Sequence, residues 1–114
     1  MSNTFIKKGD RLDYVNGGSA LNSGDVVVCV SGATGYLGVC LDAIAAGATG
    51  TIEVTGVHRL TALSTDTGVV GTPWYWDSGN SRLTTTSTSN TWAGRGAGVK
   101  SSGDTTADIK LNAK

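Results

Sequence analysis

One proline, one histidine and a charged fraction of 16% are what this 114-residue chain has least of. Soluble domains usually carry roughly 25% charged residues. Nine basic and nine acidic residues cancel, so there is no net basic face of the kind a nucleic-acid binder needs. The same balance removes self-repulsion and tolerates close packing of copies. No run approaches the roughly 18 apolar residues of a membrane span. The opening Met1-Ser-Asn-Thr-Phe-Ile-Lys-Lys8 has no apolar core of a secretory leader. The expectation is therefore no membrane, no nucleic acid and synthesis in a cytoplasm. Cys29 and Cys40 lack zinc-type spacing and read as reduced core residues rather than a disulfide. With aromatics at 6%, the core must rest on Val, Leu, Ile and Ala.

What is present points to strands. The 17 glycines, with Thr, Ser and Val, favour short strands and tight turns. The length suits a single domain that can fold without a staple. Arg11 to Val15 reads as a first strand, and Asn16-Gly17-Gly18 as a turn. Asp25 to Val30 is the clearest strand, apolar on both faces. From Tyr36 to Asp42, Leu37, Val39 and Leu41 share one face, and Tyr36, Gly38 and Cys40 the other. Asp42 to Gly47 reads as one helical turn or a loop. Thr51 to Thr55 alternates again, and Gly56 to Leu60 continues or bends that strand. Pro73 to Asp77 is a strand, and Arg82 to Ser87 and Thr91 to Gly94 read as a pair. Thr105 to Leu111 closes the domain, with Ala107, Ile109 and Leu111 inward and Lys110 outward. Regular short strands with turn signals predict an all-β fold: one small sandwich or barrel over residues 9–114, with at most one short helix. Residues 1–8 form an arm that orders on docking.

Two glycine patterns invite a nucleotide reading. Gly32, Gly35 and Gly38 follow an apolar strand, as in a dinucleotide-binding turn. That turn requires a long helix next, whereas Tyr36 to Asp42 has period two, so the glycines read as a hairpin loop. Gly94-Arg-Gly-Ala-Gly-Val-Lys100 approaches a P-loop, but Val99 separates the last glycine from the lysine. His58 has no Gly-x-Ser-x-Gly elbow to serve, and hard and soft ligands are not clustered. No catalytic residue, cofactor or metal is expected.

Trp74-Tyr75-Trp76 is the main aromatic concentration. On a strand, Trp74 and Trp76 share one face and Tyr75 and Asp77 the other. Trp76 reads as core. Trp74, Tyr75 and Trp92 are open between core and interface, where Trp and Tyr are common anchors. With Phe5 and Ile6 in the arm, these are the interface candidates. On the interface reading, Trp74→Ala impairs assembly or docking more than it lowers the melting temperature.

An ordered set of segments resembles a known family. It runs Lys8-Gly-Asp-Arg-Leu-Asp-Tyr14, Ser23-Gly-Asp-Val-Val-Val28, Gly38-Val-Cys-Leu-Asp42, Ile44-Ala-Ala-Gly-Ala-Thr-Gly50 and Ile52-Glu-Val-Thr-Gly-Val57. Tyr75-Trp-Asp77, a Thr-rich strand from Leu83 to Thr86 and Ala107-Asp-Ile-Lys-Leu-Asn112 follow. Together these resemble the phage capsid cement, or head decoration, family over nearly the whole chain. The loop from Ser31 to Gly35 and the Trp74-Tyr75-Trp76 run stand outside the family pattern.

The resemblance implies a structural virion protein on the capsid exterior. Its partners would be the major capsid protein and itself, as a homotrimer first and a dimer next. It would stabilise the expanded head against the pressure of packaged DNA. Multivalent docking turns weak contacts into strong retention, and strand edges or the arm can add to capsid strands. The alternatives are a carbohydrate- or host-surface-binding module using an exposed Trp, and a nucleotide-binding oxidoreductase fragment.

Overall fold

Alternating β-branched and small residues set the strands, and glycine with Asn, Asp and Ser ends them. The computed structural model describes residues 9–114 and contains no helix among them. Its strands are β1 (Arg11–Val15), β2 (Val26–Val30), β3 (Tyr36–Cys40), β4 (Thr49–Glu53), β5 (Val57–Thr61), β6 (Pro73–Asp77), β7 (Arg82–Thr84), β8 (Thr91–Gly96) and β9 (Thr106–Leu111). They form two antiparallel sheets. One has the order β1-β4-β3-β2 and the other β5-β9-β8-β6-β7. The fold is the all-β sandwich that the punctuation predicts. The larger sheet also curls on itself. A parallel bridge joins Ala62, just past β5, to Leu83 on β7, and the Leu63 amide donates to the Leu83 carbonyl at 2.9 Å.

Period two is visible as two buried faces on the smaller sheet. Leu37 and Val39 point toward the larger sheet and share a core with Leu60, Trp74, Trp76, Leu83, Ala107, Ile109 and Leu111. Val26 and Val28 pack against it. The opposite face carries Val27, Cys40, Ile52 and Val54, covered by Ile44 from the loop before β4. This explains why β2 is apolar on both sides. The dinucleotide-like glycines sit in and beside the β2–β3 hairpin. Gly38 lies on β3, and a Cβ there would stand 2.4 Å from Ile52 Cδ1 and 3.1 Å from Ile52 Cβ. The glycine therefore makes room for a core isoleucine.

Several expectations are corrected. The segment from Gly56 to Leu60 does not continue the preceding strand. The chain leaves the smaller sheet after Glu53, and β5 opens in the larger one beside β9. β7 and β8 are not partners either: both pair with β6, on its two sides. The segment from Asp42 to Gly47 is a loop whose Ile44 forms an isolated bridge with Leu21. Cys40 is buried, but Cys29, at the irregularity between Val28 and Val30 near the end of β2, is exposed. Both thiols are free.

The P-loop-like glycines also have a packing role. β8 carries a bulge against β6: Trp74 pairs with Gly94 and Tyr75 with Trp92, leaving Ala93 as the extra residue. Gly94 has φ +147, and a Cβ there would lie 2.1 Å from the Lys110 carbonyl oxygen. Only glycine lets β8 approach β9 this closely.

Candidate functional site

The bulge on β8 decides which side chains face outward. On the larger sheet, Trp74 and Trp76 point in, and Tyr75 points out beside Trp92. The two outer rings meet edge to face, with centroids 5.4 Å apart and planes at 86°. This is a favourable aromatic geometry. Trp92 is held by its indole N–H, which donates to the Ala113 carbonyl at 2.7 Å. The Arg95 guanidinium lies 5.5 Å from the Trp92 ring centroid and the Lys114 ammonium 6.0 Å, both within cation–π range. Arg95 and Lys110 stand directly opposite each other on β8 and β9. The outer face of this sheet is thus aromatic and cationic at its centre.

Two carboxylates share that face, and both are engaged. Asp108 accepts two bonds from Arg59, at 2.7 and 3.1 Å. The guanidinium holds the Asp108 carboxyl below the usual range. Asp77 is lowered chiefly by the Asn80 side-chain amide, which donates to it at 2.8 Å, and it also caps the turn at Gly79.

A second surface lies at one end of the sandwich. Val69, Val70 and Val99 are 58%, 71% and 75% exposed, and they cluster because Gly68 and Lys100 form a bridge. Beneath them is a rigid polar knot. Lys100 is buried, and its ammonium donates to the Asp66 carbonyl at 2.6 Å and to the Ser64 and Ser101 carbonyls at 3.4 Å. The Asp66 carboxylate accepts from the Thr84 hydroxyl at 2.7 Å and the Thr85 amide at 2.9 Å. The two surfaces are continuous, since Arg95 Nη1 donates to the Gly71 carbonyl next to Val70.

The knot carries a pH dependence. Partial burial pushes the Asp66 carboxyl up, but the bonds from Thr85 and Thr84 and the charge of Lys100 outweigh it and leave the pKa below its ordinary value. A carboxyl depressed in the folded state adds stability above its unfolded pKa of about 4 and loses it as pH falls through the lower folded value. The wild type is expected to lose stability more steeply than Asp66→Asn as pH falls below about 4. Thermal melts across that range check this.

The sequence candidates divide. Tyr75 and Trp92 come together on the outer face. Trp74 does not join them: at 1% exposure it lies in the core and presents no surface to a partner. It faces inward because it shares parity with Trp76. Phe5 and Ile6 lie outside the described residues. Sequence reading missed Arg95 and Lys110, whose opposition across strands needs the register, and Lys114, which reaches Trp92 from beyond β9. It also missed Val69, Val70 and Val99; the only local signal was a Val-Val pair between Gly68 and Gly71. His58 sits at a strand start, with Nε2 3.0 Å from the Thr55 carbonyl and 3.4 Å from Glu53.

Together, an antiparallel sandwich, an aromatic and cationic face and an apolar tip define a small all-β protein whose exposed chemistry is that of contact surfaces. The chain belongs to the phage cement protein family, whose family model matches residues 6–111. It is a structural protein of the phage capsid. Searches of curated proteins and of solved structures found no match to this chain.

Proposed function

We propose that this protein binds the outside of the phage shell as an oligomer, a homotrimer in the first instance, and stabilises the expanded head. The observation that carries this reading is the cement-family match over residues 6–111. The surface described above is compatible with it. A neutral chain lets copies crowd on a lattice without repulsion. The exposed valines and the Tyr75–Trp92 pair offer the apolar and aromatic anchors that contacts use. The carbohydrate alternative relied on an exposed Trp; Trp74 and Trp76 are 1% and 8% exposed, and the half-buried Trp92 is met by Tyr75, Arg95 and Lys114.

The test is to mix purified protein with expanded, undecorated shells and separate bound from free by sedimentation. Saturable binding, with raised shell resistance to heat or chelator, is the expected result, and light scattering of the free protein reports its oligomeric state. Absence of binding at high protein excess rejects the reading. Residues 1–8 are proposed as a docking arm. Their removal is expected to weaken shell retention while leaving the melting temperature of the sandwich unchanged. Equal retention by the truncated and intact proteins removes the arm from the mechanism.

A further inference from the structure

The outer face of the larger sheet carries cations that the fold explains only in part: Arg95 donates to the Gly71 carbonyl and, with Lys114, lies over Trp92, but among the described residues no such contact holds Lys110. Arg95 and Lys110 are directly opposed cross-strand neighbours, and like charges in that position work against the sheet. Lys114 adds a third positive group over Trp92. Among the described residues, none of these three cations pairs with a carboxylate; the Arg and Lys ion pairs there are Arg11–Glu53 and Arg59–Asp108. The nearby acids on the face are engaged elsewhere, Asp108 with Arg59 and Asp77 with its own turn. A neutral chain has therefore placed three cations without a carboxylate partner on one face, two of them over a half-buried tryptophan.

We propose that this face, built on Trp92, Arg95, Lys110 and Lys114, binds an acidic polypeptide segment displayed by the shell. The proposal deepens the capsid-binding reading and rests on it. A carboxylate placed between Arg95 and Lys110 relieves their mutual repulsion, and the guanidinium fork suits a carboxylate in two-bond geometry. Nucleic acid is the less suitable anion. Base stacking needs an open aromatic face, whereas the Trp92 ring is already met by Tyr75, Arg95 and Lys114. The zero net charge also provides no long-range field for a polyanion.

The experiment compares wild type, a Lys110→Glu/Lys114→Glu double variant and Lys110→Arg in the shell sedimentation assay. Neither lysine ammonium makes a hydrogen bond among the described residues. Lys110→Glu also replaces a like-charged pair by an opposite one, which offsets the loss of the Lys114–Trp92 cation–π contact, so the double variant is expected to melt close to wild type. Its shell affinity is expected to fall about tenfold or more, and Lys110→Arg is expected to bind as wild type. Wild-type binding should weaken as salt rises from about 0.1 M to about 1 M, and a poly-glutamate peptide should compete. If wild type does not bind shells at all, the capsid reading fails and the proposal with it. If wild type binds but the double variant binds equally and salt has no effect, the acidic-segment proposal is overturned while the capsid reading stands. If a duplex DNA probe binds and the double variant loses that binding while keeping its shell affinity, the face belongs to nucleic acid and the proposal is overturned. If the double variant proves less stable than wild type, the two lysines serve the fold; a Lys110→Ala variant that melts normally then decides the docking role by the same assay.

Discussion

Trp74→Ala is expected to lower the unfolding free energy by about 3–5 kcal/mol, the range for removing a buried aromatic side chain. Trp74 is 1% exposed and belongs to the core shared by both sheets. The wall around it is backbone as well as side chain. A Cβ on Gly68 would lie 3.0 Å from its ring, and one on Gly96 would lie 3.3 Å from its Nε1. Such a wall belongs to strand β8 and to a loop bridged to Lys100, so it cannot collapse into the space left behind. Domains of this size have a total stability of about 5–15 kcal/mol, so the variant is expected to be near unfolding at 37 °C. Urea titration followed by far-UV circular dichroism measures the loss. Tyr75→Ala, on the outer face, is expected to cost about 1 kcal/mol, mainly the aromatic pair and part of its burial. This reverses the expectation for Trp74 as an assembly contact: any docking defect in Trp74→Ala follows from lost stability. A normal melting temperature with impaired assembly would restore the interface reading.

The second large effect is expected at Asn112, just past the end of β9. Its side chain ties the two sheets together. The Leu37 amide donates to Asn112 Oδ1 at 2.9 Å, and Asn112 Nδ2 donates to the carbonyls of Leu37 and Val54, each at 2.8 Å. These partners are 75 and 58 residues away in sequence. Asn112→Ala strands one amide and two carbonyls, and is expected to cost about 3 kcal/mol, given about 1–3 kcal/mol for a buried polar group left without a partner. Asn112 also has φ +59, a conformation that Asn tolerates better than Ala. Asn112→Gly separates the two contributions: it relieves the backbone but not the lost bonds, so most of the cost should remain. Hydrogen exchange at the Leu37 amide is the local reporter and is expected to accelerate in both variants. If Asn112→Gly is as stable as wild type, the bridge adds nothing and backbone geometry alone selected the asparagine.

Much of the fold was legible because strands write their facing into a period of two. The inward placement of Ala107, Ile109 and Leu111 and the outward placement of Lys110 followed from alternation alone, and so did the opposite parities of Trp74 and Tyr75. The glycine-rich stretch from Gly32 to Gly38 was legible as a hairpin for the same reason, since Tyr36 to Cys40 alternates where a nucleotide site needs a helix. Pairing was not legible. Nothing between Glu53 and Val57 states that the chain changes sheets. Nothing in the short polar segment between β7 and β8 says that β6 lies between them. A strand's free edges accept any strand of suitable twist, and the choice is made by burial over the whole domain.

The candidate site was half legible for a related reason. Tyr75 and Trp92 were visible as aromatics of uncertain facing. Their meeting depends on the bulge at Ala93, which shifts register by one residue. The opposition of Arg95 and Lys110 depends on the β8–β9 register, and the valine tip on a bridge between loops more than 30 residues apart.

By itself the sequence determined an all-β chain, the hairpin character of its glycines, the inner face of the last strand and the family it resembles. These are local properties, fixed by the backbone chemistry of glycine, by β-branched side chains and by alternation over five or six residues. Tertiary structure alone decided which sheet each strand joined, that Trp74 is core while Trp92 is surface, that Asn112 links distant strands, and that three cations share one face. Those outcomes come from contacts between residues far apart in the chain. No local pattern encodes them, because each depends on which distant edges and faces become buried together.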